Sequence, residues 1–158
     1  MPKTFIIIVT YNGMTWIEKC LESIPFQSCK VIVVDNASND NTVQFVKNNF
    51  KDVKIIESDK NLGFGKANNL GISHAYNQGA THFFLLNQDA YIIGDCLEHL
   101  VDFQKKNPEY GILSPIHLND SQTLLDHGFA NYVAFSRNPY LYLKSQSLFI
   151  SPKVTLKP

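Results

Sequence analysis

Short unbroken apolar runs alternate along this chain with stretches whose apolar residues recur at helical spacing. Phe5-Ile6-Ile7-Ile8-Val9 is a continuous run, as expected of a parallel strand covered on both faces. Ile17, Cys20, Leu21 and Ile24 then fall at i, i+3, i+4 and i+7, one face of a helix that Pro25 ends. Val31-Ile32-Val33-Val34 predicts a second buried strand, closed by Asp35. Val43, Val46, Lys47 and Phe50 mark a helix with one mostly apolar stripe, and Ser38 or Asp40 could cap its start. Residues 53–56 predict a third strand, 63–77 a helix, and Phe83-Phe84-Leu85-Leu86 a fourth strand. Leu97, Leu100 and Val101 mark a further helix that should stop near Asn107-Pro108, and Ile112-Leu113 begins a fifth strand.

This β-α-β-α order predicts an α/β fold, Rossmann-like, with a mainly parallel sheet and helices on both faces. The pattern fades after Pro115. Residues 119–123 are turn-like, and the aromatics from Tyr132 onward follow no clean period. The boundary is therefore expected at 118/119, with 119–158 reading as a region that stops before its domain is finished.

Composition narrows the function classes. A chain of 158 residues fits one domain with one sizeable core, and 44% hydrophobic against 18% charged residues describes a folded protein. Lys+Arg and Asp+Glu both count 14, so net charge gives no reason to expect nucleic-acid binding, while small anionic ligands stay open. Cys20, Cys29 and Cys96 are few and lack zinc-type spacing, which reads as free thiols in a reducing cytosol. Residues 5–9 are too short for the apolar part of a signal peptide, and no apolar run approaches the roughly 20 residues that span a bilayer. The expected location is the cytoplasm, either free or held at the inner face of the membrane.

The candidate chemistry lies at strand ends. In open α/β sheets, ligands bind outside the carboxyl ends of the strands, at a switch in strand order. Thr10-Tyr11-Asn12-Gly13 follows the first strand, Asp35-Asn36-Ala37-Ser38 the second, and Asn87-Gln88-Asp89 the fourth. Each cluster alone reads equally well as turn and capping residues. Their shared placement on one edge points to a ligand site. No G-x-G-x-x-G follows the first strand, and Gly63-Phe64-Gly65 lacks a third glycine and the Lys-Ser/Thr pair of a P-loop, so it reads better as a tight helix entry.

Four of these segments, in this order and spacing, resemble the successive motifs of family 2 glycosyltransferases. They are Ile8-Val9-Thr10-Tyr11-Asn12, Val33-Val34-Asp35 running to Thr42, Asn61-Leu62-Gly63 running to Asn69-Leu70-Gly71, and Leu86-Asn87-Gln88-Asp89-Ala90. The rhamnosyltransferase-like branch is closest, because its metal motif reads Asn-x-Asp. The resemblance covers about residues 4–118 and implies a GT-A fold, with a nucleotide-sugar-binding subdomain over 1–118 and the start of an acceptor-side region after it. It implies an inverting, metal-dependent transfer from a UDP-, dTDP- or GDP-sugar to a glycan or lipid-linked acceptor, and leaves a homodimer open. Bacterial cell-surface polysaccharide assembly is the implied pathway.

By the same resemblance, Thr10, Tyr11 and Asn12 would line the nucleotide pocket, with Tyr11 packing on the base. Asp35 would hydrogen-bond the base, with Asn36 beside it. Asn69 takes the second place of the family's Arg-Asn pair, Asn68 stands where the arginine is common, and Lys66 is the nearby cation that could replace it. Asn87, Gln88 and Asp89 would meet the ribose, sugar and diphosphate, with Asp89 binding Mg²⁺ or Mn²⁺. Asn87 removes one negative charge from the usual motif, so metal binding should lean on the donor's own phosphates.

The family's general base belongs to a later acidic motif that has no clear counterpart here. Asp120, Asp126 and His127 are the remaining weak candidates, and the base is expected to lie outside this chain. Tyr132, Phe135, Tyr140, Tyr142 and Phe149 read either as an acceptor-sugar platform or, better, as core or dimer contacts. Two alternatives stand beside the transferase. One is a catalytically incomplete nucleotide-sugar-binding fragment or partner subunit; the other, weaker, is a nucleotidyltransferase. No G-x-S-x-G elbow supports a serine hydrolase.

Overall fold

The computed structural model describes residues 3–135, with side chains through Asn131. Four strands form one sheet: β1 (Thr4–Thr10), β2 (Lys30–Asp35), β3 (Val53–Glu57) and β4 (His82–Asn87). Their order is β3-β2-β1-β4, and every neighbouring pair is parallel. The helices between them are α1 (Ile17–Glu22), α2 (Thr42–Asn49) and α3 (Phe64–Asn77). Later in the chain come α4 (Cys96–Lys106) and α5 (His127–Phe135).

Strand order dictates which face each helix covers. Steps from β1 to β2 to β3 run one way along the sheet, and the step from β3 to β4 runs back past β1. Right-handed crossovers put α1 and α2 on one face and α3 on the other. The packing agrees. Phe5, Ile7, Val9, Ile32 and Val34 form one buried cluster with Ala67 and Ala75 of α3. Ile6, Ile8, Val31 and Val33 point the opposite way by strand alternation and are just as buried. Both faces of the central strands are thus closed, which explains their unbroken apolar runs.

α3 lies close to the sheet because Gly71 has no side chain. A Cβ there would stand 2.5 Å from Cγ2 of Ile7 and 3.1 Å from Cγ2 of Val34. Those methyls branch next to the backbone and cannot swing aside, so a larger residue must push the helix outward. Gly71→Ala should therefore destabilise the fold by about 1–3 kcal/mol despite alanine's better helix propensity. Urea unfolding checks this, and an unchanged midpoint would show that the helix has slack.

β4 is one of the two edge strands and is less enclosed than β1 and β2. Phe83 and Leu85, on the same face as Phe5 and Ile7, are 37% and 49% exposed. Among the described residues no helix of the structure is long and apolar enough to cross a membrane, and no disulfide joins the three cysteines.

Two expectations from the sequence are corrected. Ile112-Leu113 is not a strand: the segment is irregular and Ile112 is 57% exposed. The apolar run is short and lies between Pro108-Glu109-Tyr110-Gly111 and Pro115, leaving too little chain to sustain a ladder. The structure also contains α5, where no helix was expected. Asp126 opens it, its carboxylate accepting from the Phe129 N–H at 2.9 Å, and Phe129 is buried against the His117 ring. The described residues divide into two compact units, one through Gly94 and one from Asp95 on.

Candidate functional site

The reversal in strand order makes the gap between the ends of β1 and β4 the switch point of the sheet. A cleft of about 460 Å³ opens there, lined by Val9, Tyr11, Asn36, Asn61, Phe64, Asn87, Gln88 and Asp89. Residues that follow all four strands meet in it, as their shared sheet edge requires.

The loop after β1 is held mainly by side chains of the loop after β2. Asn12 takes a left-handed φ of 49° that Asn tolerates better than most residues. Its N–H donates to the Ser38 hydroxyl at 2.9 Å, and its Oδ1 accepts from the Asn39 N–H at 2.8 Å. The Gly13 N–H donates to the Thr42 hydroxyl oxygen at 2.8 Å, and that hydroxyl donates in turn to Asp40. Asp40 also accepts from the N–H groups of Thr42 and Met14. Neither residue expected to cap α2 is its N-cap, which is Asn41: Asp40, one residue earlier, accepts from the Thr42 N–H, and Ser38 serves the loop. Burial pushes the Asp40 carboxyl up, but the bonds from Thr42 and Met14 together outweigh it and hold the group below the usual carboxylate range.

Asp35 ends β2 and is only 3% exposed. Its Oδ2 accepts from the Ser38 N–H at 3.0 Å, whereas Oδ1 is buried and has no hydrogen-bond partner among the described residues. A buried carboxylate oxygen with no donor is costly, and each such atom in a native fold calls for an explanation. Asn36 beside it uses both ends of its amide. Nδ2 donates to Oδ1 of Asn61 at 2.9 Å and Oδ1 accepts from the Leu62 N–H at 2.7 Å. That clamp holds the turn into α3, where Gly63 adopts φ 76°, ψ 162°, a conformation suited to glycine.

Across the cleft, Asn87-Gln88-Asp89 forms the turn after β4. The Cys20 thiol lies against it, donating to the Asn87 carbonyl at 3.5 Å. Burial, with the charge of Asp89 adding to it, pushes that thiol up to about 12, so it stays neutral and packs as an apolar strut. Gln88 turns its amide toward Thr10 and Tyr11. Asp89 is exposed at the rim and makes no hydrogen bond or ion pair with the described residues.

The sequence-derived candidates divide accordingly. Tyr11, Asn36, Asn87, Gln88 and Asp89 line the cleft, while Thr10 and Asp35 are buried at the strand ends and Asn12 braces the loop. Lys66 and Asn69 lie exposed on α3 and do not line it. Asn68 is buried, donating its amide to the Phe64 carbonyl at 3.0 Å. Phe64, 58% exposed, is a lining residue that sequence reasoning missed. An aromatic directly after the glycine that opens α3 was the available signal.

Asp120, Asp126 and His127 belong to the second compact unit. The Asp126 carboxylate is committed to the start of α5, and the His127 ring faces the Asn131 amide at 3.3 Å. Asp120 sits in an exposed turn. Tyr140, Tyr142 and Phe149 lie outside the described residues, as do the side chains of Tyr132 and Phe135.

No group of three or more His, Cys, Asp or Glu side chains able to hold a metal forms among the described residues. One unengaged carboxylate with an amide in the same cleft still suits Mg²⁺ or Mn²⁺ if ligand oxygens and water complete the shell, the usual arrangement at diphosphate sites. The donor set fits a shared ion and does not fit a resident one.

Known proteins resemble this chain in sequence and in fold. The teichoic acid poly(glycerol phosphate) polymerase of Staphylococcus epidermidis is 27% identical over 93% of this chain, which spans 21% of that protein. The dTDP-rhamnosyl transferase RfbF of Shigella flexneri is 28% identical over 73% of this chain and 38% of its own length. Among solved structures, S. aureus TarS 1-349 in complex with UDP aligns with a TM-score of 0.57 and 26% identity, covering 67% of this chain and 33% of that one. Its complex with UDP-GlcNAc aligns with a TM-score of 0.56 and 27% identity, over 67% and 32%. The fold is accordingly that of the GT-A glycosyltransferases. The family model for glycosyl transferase family 2 matches residues 5–155, and the chain belongs to that family.

Proposed function

We propose that this chain forms the donor-binding half of an inverting, metal-dependent glycosyltransferase. It takes a UDP-, dTDP- or GDP-sugar and passes the sugar to a glycan or lipid-linked acceptor. The observation that carries this reading is that an aromatic ring, Tyr11, and an unengaged carboxylate, Asp89, share one cleft at the switch between β1 and β4.

Each residue then has a physical task. Tyr11 offers a flat apolar surface to the base. Asp35 offers an acceptor to a base N–H, which supplies the donor its Oδ1 lacks. Uracil and thymine both present N3–H between two carbonyls, so one carboxylate serves either. That agrees with a UDP-bound neighbour and a relative whose name specifies dTDP-rhamnose. Asp89, with Asn87 nearby, would hold Mg²⁺ or Mn²⁺, which when bound neutralises charge on the departing diphosphate. The acceptor oxygen attacks the anomeric carbon, the bond to the diphosphate oxygen breaks, and the hydroxyl proton passes to a general base. A single displacement of this kind inverts the anomeric configuration.

Calorimetric titration of UDP, dTDP, GDP and inorganic diphosphate, each with and without Mn²⁺, tests the reading. A nucleoside diphosphate should bind tighter than inorganic diphosphate, and Mn²⁺ should tighten it at least tenfold. Absence of nucleotide binding in both conditions would overturn it.

A further inference from the structure

The β1–β4 ladder ends at the pair Val9↔Asn87, and beyond it the two loops that frame the cleft leave the sheet. The Gln88 side chain spans the gap between them. Its Oε1 accepts from the Thr10 hydroxyl at 2.7 Å and from the Tyr11 N–H at 3.0 Å, and its Nε2 donates to the Tyr11 carbonyl at 3.4 Å. The amide thus pairs with the main chain of Tyr11 on both sides, as the next residue of a strand would. The space is reserved for it: a Cβ on Gly13 would lie 2.3 Å from Oγ1 of Thr10 and 2.6 Å from Oε1 of Gln88. Thr10 is fully buried and directs its hydroxyl to the same amide.

We infer that Gln88 is a positioning residue, whose amide extends the β1–β4 ladder by one step and sets the separation of Tyr11 from Asp89. The functional half of this inference rests on the donor-binding reading. A nucleotide is rigid in its base and flexible in its diphosphate, so a ligand spanning both loops gains from their being fixed beforehand. A ligand touching the Tyr11 side alone gains little. Thr10 is buried and acts through Gln88, which borders the cleft while its amide is committed to the main chain of Tyr11.

Two variants test this: Gln88→Ala, and the milder Thr10→Val, which deletes the hydroxyl at nearly constant volume. Amide hydrogen exchange on the ligand-free protein reads the joint itself. In Gln88→Ala, exchange at Tyr11 and at residues 88–90 should quicken together on the order of tenfold, with β2 and β3 unchanged. Thr10→Val should show a smaller change, and the double variant should be no worse than Gln88→Ala alone. Binding reads the consequence: UDP with Mn²⁺ should weaken roughly tenfold, and uridine less than about twofold.

Unchanged exchange at either loop would overturn the inference. Equal losses for uridine and for UDP with Mn²⁺ would also overturn it, because Gln88 would then contact the base directly. A native chain that binds no nucleotide while the two loops exchange as one would sink the donor reading and support the ladder extension.

Discussion

Replacing Asp89 with alanine should remove the metal-dependent part of UDP binding and leave the melting temperature within about 1 °C of native. The two halves of this result have one cause. Asp89 is exposed and makes no hydrogen bond or ion pair with the described residues, so the fold loses no contact when its carboxylate goes. A shared divalent ion, in contrast, would lose the only carboxylate that lines the cleft among the described residues. The gain in UDP affinity on adding Mn²⁺, expected to be tenfold or more in the native chain, should collapse to about one, with uridine affinity unaffected. Titrations in Mn²⁺ and in EDTA read this directly. An Mn²⁺ effect of native size in Asp89→Ala would place the ion elsewhere. Asn87→Asp is the opposite control: an added negative charge should make Mn²⁺ binding depend less on nucleotide.

Asp35→Asn should weaken UDP about 10- to 100-fold while holding or raising stability, an opposition that separates a ligand contact from a structural one. The native carboxylate is buried, accepts one bond from the Ser38 N–H and leaves Oδ1 without a donor. Asparagine keeps an oxygen for Ser38 and removes a buried charge that has no cation beside it, so the free protein is relieved of a desolvation cost. The same change turns an NH₂ toward the base, where two donors would face each other. Losing a charge-assisted hydrogen bond and leaving a donor unpaired is worth about 1–3 kcal/mol, which corresponds to the quoted range. Inorganic diphosphate with Mn²⁺ should bind as before. If diphosphate and UDP weaken equally, or if the melting temperature falls sharply, Asp35 is a structural residue and base recognition lies elsewhere.

β1 and β2 were legible because burial on both faces leaves a continuous apolar run, and the edge strands because 53–56 and 83–86 are rich in β-branched and aromatic residues; all four segments fall within the observed strands. The short Ile112-Leu113 run has the same composition but no room to pair, a property of the surrounding prolines and glycine that hydrophobicity alone does not weigh. α5 was missed because the apolar residues of His127–Phe135 show no clear stripe and Gly128 sits near its start. Its start signal, Asp126, was read as candidate chemistry. At the site, residues that end neighbouring strands must share an edge, so the grouping of Tyr11, Asn87 and Asp89 could be argued from order alone. The engagement of Gln88 could not. It depends on one rotamer meeting a main chain 77 residues away, and a glutamine after a strand looks the same whether it faces a ligand or its own protein.

The return of the chain to β1 also sets the order in which this unit can form. β1, β2 and β3 with their helices are complete before β4 is reached, whereas the Thr10–Gln88 bond closes a separation of 78 residues. Contacts that close so long a loop carry the largest entropy cost and form late. During synthesis the first three strands and α3 leave the ribosome ahead of the strand that completes the cleft. On the donor-binding reading a nucleotide spans both loops only after β4 docks, so its metal-dependent binding stabilises that last step.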